Sequence, residues 1–142
     1  MKIEDVLRNK GTAVVTIEPT ATVDQLVALM AEHNIGAVVV STDGTHIEGI
    51  VSERDVVRAL AADGGDLLAR TVADLMTAEV TVATPQDRIE DTAHTMTERR
   101  VRHIPVVVNG ELTAIVSIGD VVKHRMDELS DERNQLLGYL HS

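Results

Sequence analysis

The chain has 142 residues, enough for one compact domain or for two small, tightly joined halves. Its net charge of −10 disfavours nucleic acid and anionic membranes as partners, and it has no long apolar run that could span a bilayer. Cysteine is absent, which excludes disulfides, thiolate metal ligands and thiol catalysis. Together with an acidic start that lacks an apolar signal core, this predicts a cytoplasmic protein.

The first half of the chain predicts the order β-α-β-β-α. Thr22 and Gln25 form a capping-box pattern that opens a helix, and Asp43-Gly44 is a hairpin signal. The predicted elements are a strand at 13–17, a helix that starts after Thr22 and ends before Ile35-Gly36, strands at 38–40 and 46–51, and a helix from Ser52 to Leu60.

The second half repeats this order. Residues 15–17 recur as 80–82, and residues 50–57 recur as 115–122. The second set of predicted elements is a strand at 80–83, a helix at 87–99, a strand at 104–108, an Asn109-Gly110 turn, a strand at 112–116 and a helix from Ser117. Such a repeat predicts two copies of one unit packed together, with any cleft between them occurring in pairs.

Shorter segments complete the predicted organisation. Residues 61–70 are predicted to be a linker, and each half begins with a similar lead-in segment, at residues 3–7 and 72–76. Strands that alternate with helices, with one hairpin in each half, indicate an α+β fold in which a small mixed sheet is covered by helices.

The last helix continues beyond the repeat and carries an apolar stripe. This stripe could fold back on the core or pair with a second copy of the chain, and the second alternative predicts a homodimer. We define the C-terminal stripe by the apolar residues at spacings of three and four, interrupted by Arg133: Val122, Met126, Leu129, Leu136 and Leu140.

No enzyme is predicted. The sequence contains no phosphate-binding loop, no dinucleotide-binding glycine motif and no His-Glu-x-x-His pattern, and its six histidines show no metal-ligand spacing. One local exception to the acidic surface is the basic run at residues 99–103. This run is either a solvated helix end, where cations complement the helix dipole, or an anion site.

Taken together, the duplicated order and four sequence segments resemble a tandem pair of CBS domains, or Bateman module. The segments are NIGAVVV at 34–40, GIVSERD at 49–55, RHIPVV at 102–107 and VSIGD at 116–120. The resemblance is closest to small stand-alone CBS-pair proteins of bacteria and plant organelles. It implies a first repeat at 2–62 and a second repeat at 70–126, packed with pseudo-twofold symmetry, and leaves 127–142 as a C-terminal helix extension that contacts a second subunit.

The resemblance implies a regulatory module that binds an adenosine-containing ligand in clefts between the repeats. AMP is favoured, with ADP, ATP, NADH and S-adenosylmethionine as alternatives, and no cofactor is required. The ligand would shift the relative orientation of the repeats and so control an unknown protein effector in trans. The competing hypothesis is a constitutive protein-interaction module with vestigial clefts.

By this resemblance, Asp55 and Asp120 hold the ribose, and Ser52 and Ser117 lie near phosphate. The chemistry is suitable, because a carboxylate can accept both hydroxyls of a cis-diol and a helix start offers N–H groups to an anion. The same Ser-x-x-Asp pattern is also an ordinary capping box, and the two interpretations are compatible.

The two predicted clefts are not equivalent, and we expect the one that contains Asp55 to bind a phosphorylated ligand more strongly. His103 could instead be an ordinary core or hydrogen-bonded histidine. The cation Arg54 of the first copy is replaced by Gly119 in the second. The stronger cleft would contain Ser52, Arg54, Asp55, Arg102 and His103. The opposite cleft would contain Ser117, Asp120, Gly36 and Ala37.

Further predicted contacts concern the base and the phosphates. Thr16 and Thr81 could bond an adenine edge or be simple strand threonines, and Ile35 and Ile104, the latter followed by Pro105, are predicted apolar walls. Close relatives often have a basic, serine-rich linker, whereas this chain has Asp63-Gly64-Gly65-Asp66 there. Two acids would repel a polyphosphate, which favours AMP or another adenosine ligand of low charge.

Overall fold

A computed structural model describes residues 1–11 and 13–141 and shows an α+β fold. The first repeat has the order β-α-β-β-α, the second repeat has α-β-β-α, and the chain ends in a long helix. In chain order the elements are α1 (Ile3–Lys10), β1 (Thr16–Ile17), α2 (Val23–His33), β2 (Ala37–Val40), β3 (Gly49–Ser52), α3 (Glu53–Asp63), a 3₁₀ helix (Gly64–Ala69), α4 (Val72–Leu75), α5 (Ile89–Arg99), β4 (His103–Val108), β5 (Glu111–Ser117) and α6 (Ile118–His141).

The described residues form two compact units that do not follow the order of the chain. The α2 unit contains residues 13–81 and 109–113, and the α1 unit contains residues 1–11, 82–108 and 114–141. Helix α1 precedes the first repeat in the chain but belongs to the unit that contains α5 and α6 of the second repeat. Helix α4 precedes the second repeat but belongs to the unit that contains α2 and α3 of the first repeat. The two lead-in segments are exchanged between the repeats.

Matching backbone hydrogen bonds hold the exchanged lead-in segments in place. In the α1 unit, the Ile3 N–H donates to the Asp87 carbonyl at 2.9 Å and the Glu4 N–H to the Pro85 carbonyl at 2.9 Å. In the α2 unit, the corresponding donors Val72 and Ala73 bond the carbonyls of Ala21 at 2.8 Å and Pro19 at 3.0 Å. Each lead-in segment is thus fixed by the loop that precedes α2 or α5, so the exchange is built into the backbone.

The core of the α2 unit lies against a three-stranded sheet of order β1-β2-β3. Strand β1 pairs parallel to β2, with Thr16 opposite Val39, and β2 pairs antiparallel to β3, with Ala37 opposite Ser52. Every residue of β2 is buried, as expected for a central strand that reads Ala-Val-Val-Val. The buried core consists of Leu26, Met30, Val38, Val40, Val51 and Val72.

The α1 unit contains helices α1, α5 and α6, strand β4 and residues 114–117 of β5, and β4 and β5 pair in a two-stranded sheet. The Asn109-Gly110 turn of this hairpin has φ of 53° and 78°, the positive values that a type I′ turn requires. Ile3, Ile89 and Met96 are buried in this unit. No helix in the described ranges has both the length and the apolar character needed to cross a membrane.

Several predicted boundaries are wrong, and local hydrogen bonds explain two of them. The strand predicted at 46–51 starts only at Gly49, because the Asp43 carboxylate accepts the N–H groups of Thr45 and His46 and keeps the chain in a turn. Helix α5 starts at Ile89 because the Asp87 carboxylate accepts the Thr84 N–H at 3.0 Å.

Two further expectations are corrected. The strand predicted at 80–83 is absent and leaves only an isolated parallel bridge between Ala83 and Val106, and the first strand is limited to Thr16–Ile17. The predicted linker is ordered, because α3 continues to Asp63 and the 3₁₀ helix after it buries Leu67 completely. Residue 12, just before the predicted first strand, and residue 142 of the C-terminal extension lie outside the described residues.

We expect Gly49→Ala to lower the free energy of unfolding by about 1–3 kcal/mol, the usual cost of overpacking a well-packed site. A Cβ at Gly49 would lie 2.6 Å from Met76 Sδ and 3.0 Å from the Thr77 carbonyl oxygen. Urea unfolding followed by circular dichroism measures the change. Gly65→Ala is the matched control, because its Cβ would have no heavy atom within 4 Å. An unchanged midpoint for Gly49→Ala would contradict this packing.

Candidate functional site

The first candidate site lies where β3 passes directly into α3. Ser52 is the N-cap of α3, and its Oγ accepts the Asp55 N–H at 3.3 Å. In return, Asp55 Oδ2 accepts the Ser52 N–H at 2.8 Å and the Ser52 hydroxyl at 3.0 Å. The capping-box interpretation of this motif is therefore confirmed, and the cap holds the Asp55 carboxylate in one orientation.

The second candidate site repeats this geometry where β5 passes into α6. Asp120 Oδ2 accepts the Ser117 N–H at 2.9 Å, and Ser117 Oγ accepts the Asp120 N–H at 3.2 Å. Both aspartates are half-buried, and each lies on the third residue of its helix. The duplicated sequence thus produces two similar capped carboxylates, one in each unit.

Few backbone N–H donors remain available to a ligand at these helix starts. The first N–H of α3, from Glu53, donates to the Gly36 carbonyl at 2.9 Å, and the first N–H of α6, from Ile118, donates to the Arg102 carbonyl at 2.8 Å. The third N–H is bonded to the serine in both copies. In the described part of the chain, this leaves the N–H of the second residue, Arg54 or Gly119, without a bond to protein. A phosphate would find one backbone donor at each helix start and would need a side-chain cation.

The two carboxylates differ in charge compensation. In the structure's described residues, Asp55 has no ion-pair partner, whereas the Lys10 ammonium contacts Asp120 Oδ2. Burial acts to raise the pKa of Asp120, but the hydrogen bonds and charge supplied by Lys10 and Ser117 outweigh it and hold that pKa below its ordinary value. Asp120 is therefore already part of an ion pair.

Cations suited to an anion are present near the sequence-predicted sites. Arg54 and Arg102 are exposed, and no ion pair within the described ranges involves them. His103 begins β4 and is half-buried. The predicted pairing of Arg102 and His103 with Asp55 joins residues of different units and stays a prediction.

The remaining predicted contact residues have mixed environments. Thr16 is half-buried in β1, whereas Thr81 is half-buried in an irregular segment and not in the predicted strand. Ile35 packs partly buried against the core of the α2 unit. Ile104 is only 1% exposed, so its side chain is a core residue of the α1 unit. Gly36 directly precedes β2, Ala37 is the buried first residue of β2, and Pro105 is buried in β4.

Sequence analysis missed Lys10 as part of the second site. It stands in the lead-in of the first repeat, far along the chain from Asp120, and it meets that residue only because the lead-in segments are exchanged. The only hint in the sequence was that Lys10 follows the repeated lead-in segment at residues 3–7. That position does not show which distant segment the lead-in contacts. Residues 1–11 and 13–141 contain no cluster of three or more histidine and carboxylate side chains that could hold a metal ion.

Comparison with known proteins identifies the family. The CBS domain model matches residues 3–62 and 72–127, and the chain belongs to this family as a tandem CBS pair. CBS-pair proteins are commonly regulatory and bind adenosine ligands, and those that stand alone are generally not enzymes.

Individual relatives agree with this assignment. The solved CBS-domain protein ATU1752 from Agrobacterium tumefaciens has a TM-score of 0.85 and 40% identity, with 88% of this chain and 99% of that chain covered. The mitochondrial CBS domain-containing protein CBSX3 of Arabidopsis thaliana is 34% identical, over 97% of this chain and 71% of its own length. The structure of CBSX2 in complex with AMP has a TM-score of 0.71 and 25% identity, with 89% of this chain and 96% of that chain covered.

We expect Asp120→Asn to lower stability at pH 7, with a smaller loss in acid. Because the pKa of folded Asp120 is lowered, its ionised form stabilises the fold above the unfolded-state pKa of about 3.9, and this contribution disappears as the pH falls through the lower folded pKa. Urea unfolding at several pH values between 7 and 3 measures the difference from the unaltered protein. Asp55→Asn, which changes the same kind of cap without an ion pair, is the control. A difference for Asp120→Asn that does not vary with pH would contradict the assignment.

Proposed function

We propose that this chain is a regulatory module that binds an AMP-like adenosine ligand through Asp55 and controls a partner protein. The observation that supports this most directly is the Asp55 carboxylate. Its Oδ2 is held by the Ser52 cap, whereas its Oδ1 has no hydrogen-bond partner among the described residues. A fixed carboxylate with an available oxygen can accept the hydroxyls of a ribose without first being reoriented.

A single phosphate suits the charges around Asp55. Arg54 follows the cap directly and is exposed, so it could neutralise one phosphate group, and the second-residue N–H adds one donor. The solved complex of the relative CBSX2 contains AMP. The expected repulsion of a polyphosphate by the two linker acids is smaller than the sequence suggested, because Asp63 forms an ion pair with Arg70.

Ligand binding would not require catalysis. The capped carboxylates are acceptors with a structural function at a helix start, where each bonds the N–H of the serine three residues earlier. The proposed output is a change that a partner protein recognises, driven by the ligand's different affinity for two states of the module.

We expect AMP at 100 times its dissociation constant to stabilise the protein by about 2.7 kcal/mol and Asp55→Ala to abolish most of this gain. Thermal unfolding with AMP, ADP, ATP, NADH and S-adenosylmethionine measures it, each variant being compared with itself without ligand. Thr22→Ala is the matched control, because it removes the equivalent cap of α2 at a cost of about 1 kcal/mol but leaves Ser52 and Asp55 unchanged. If no ligand raises the unfolding temperature, or if Asp120→Ala loses more affinity than Asp55→Ala, the proposal is wrong.

The C-terminal stripe supports the predicted homodimer, which is compatible with either a ligand sensor or a constitutive interaction module. All five of its side chains are exposed, from 46% for Leu129 to 75% for Leu140, so the stripe does not fold back on the core. A run of apolar residues at heptad spacing on a long helix is typical of helix pairing, and we propose that a second copy of this chain covers it.

We expect Leu129→Lys to convert a dimer to monomer, because it places a charge in the centre of the proposed helix seam. Sedimentation velocity across a range of protein concentrations measures the assembly. Asp127→Lys is the control, since it adds the same side chain to an exposed position of α6 outside the stripe. Dimers that persist in Leu129→Lys would exclude the stripe as the contact, and a monomeric unaltered protein would exclude the dimer itself.

A further inference from the structure

The ion pair between Lys10 and Asp120 distinguishes the second candidate site from the first. Lys10 is the last residue of α1, and its ammonium contacts Asp120 Oδ2. Both side chains are partly exposed, with 34% and 26% of their surface accessible. A pair of this kind is screened less by solvent than one at the open surface.

The backbone holds Lys10 in position beside Asp120. Gly11 ends α1 with φ of 87°, and its N–H donates to the Leu7 carbonyl at 2.9 Å, so the last turn of the helix is closed. The hydrogen bonds from Ile3 and Glu4 fix the other end of α1. The lysine therefore extends from an element anchored at both ends.

The equivalent position of the other lead-in segment carries the opposite charge. When residues 3–7 are aligned with residues 72–76, Lys10 corresponds to Glu79, which is exposed. Helix α4 ends at Leu75, and Met76 is already extended with ψ of 152°, so the helix does not continue toward this position. The α2 unit thus supplies no counterpart of Lys10 to Asp55.

The acceptor chemistry of the two carboxylates differs as a result. Both carboxylates accept hydrogen bonds from their capping serine, and Asp120 Oδ2 accepts a further one from the Lys10 ammonium, for which Asp55 has no counterpart in the described residues. A hydroxyl can rotate away to serve a ligand without separating charges. An ammonium must leave an anionic carboxylate, and while it stays it weakens any charge-assisted bond from a neutral diol.

We propose that Lys10 disfavours ribose binding at Asp120 by neutralising the carboxylate, whose Oδ1 is unbonded in the described residues like that of Asp55, so that the chain has one open adenosine site, at Asp55, and one latched site. This inference rests on the proposed function and assigns Lys10 as the residue that sets ligand stoichiometry. Displacing a charge-assisted bond should weaken binding at Asp120 about tenfold or more. Any condition or partner that drew Lys10 away would open the second site.

Isothermal titration with adenosine and AMP tests the latch. Adenosine carries the diol without a phosphate, so its binding is not helped by the lysine charge. We expect the unaltered protein to bind one AMP per chain, and Lys10→Met to bind a second, with adenosine showing the same gain. Lys10→Arg, which keeps the cation, should behave as the unaltered protein. In Lys10→Met combined with Asp55→Ala, one site should remain, and it should disappear when Asp120→Ala is added.

The outcomes separate this inference from the function on which it rests. Two equal sites in the unaltered protein, or no gain in Lys10→Met, would overturn the latch while leaving binding at Asp55 intact. Weaker AMP binding in Lys10→Met would make the lysine a phosphate contact, which also overturns the latch. Absence of adenosine and AMP binding in every variant would overturn the proposed function. Lys10→Gln provides a second test if the methionine variant does not fold, as judged by circular dichroism.

Discussion

The hydrogen bonds between each lead-in segment and the loop before α2 or α5 are the constraint on which the remaining structure depends. They join Ile3 and Glu4 to residues 85–87, and Val72 and Ala73 to residues 19–21, in the same pattern. Backbone groups of this kind must be paired when they are buried, so the pattern recurs wherever the repeat recurs. As a consequence, each compact unit contains helices from both halves of the sequence, and neither unit corresponds to a continuous half of the chain.

The strand-to-helix junction combines structure with candidate function. At both junctions a serine and an aspartate satisfy each other's backbone N–H, which stabilises the helix start. The same bonds fix the carboxylate direction, so the aspartate is preorganised at no further cost in entropy. A structural cap and a ligand contact are thus compatible in one residue, provided that one carboxylate oxygen remains available.

Duplication followed by divergence explains why the two junctions differ. The backbone geometry is preserved, because the capping box needs only serine and aspartate three residues apart. The surroundings are not preserved, since Arg54 corresponds to Gly119 and Lys10 corresponds to Glu79. The electrostatic environment of two equivalent carboxylates therefore changed without any change in fold, and an asymmetric module resulted.

Local sequence signals predicted those features that depend on neighbours in the chain. The Thr22–Gln25 cap, the positive φ of the Asn109-Gly110 turn and the helix starts at Ser52 and Ser117 are of this kind. The strand predicted at 80–83 failed because β-branched residues favour a strand but cannot supply a partner, and here a single bridge forms. The segment predicted as a linker instead contains a 3₁₀ helix at Gly64–Ala69 in which Leu67 is buried.

The sequence by itself determined the duplication, most of the helices and strands, the CBS family and the two capped aspartates, because each of these follows from residue patterns within a short segment. Tertiary structure decided the exchange of the lead-in segments, the core environment of Ile104 and the ion pair of Lys10 with Asp120. These depend on which distant segments pack together, and no pattern within one segment specifies its partner. The charge of a site is set by that packing, so two similar motifs acquired different chemistry.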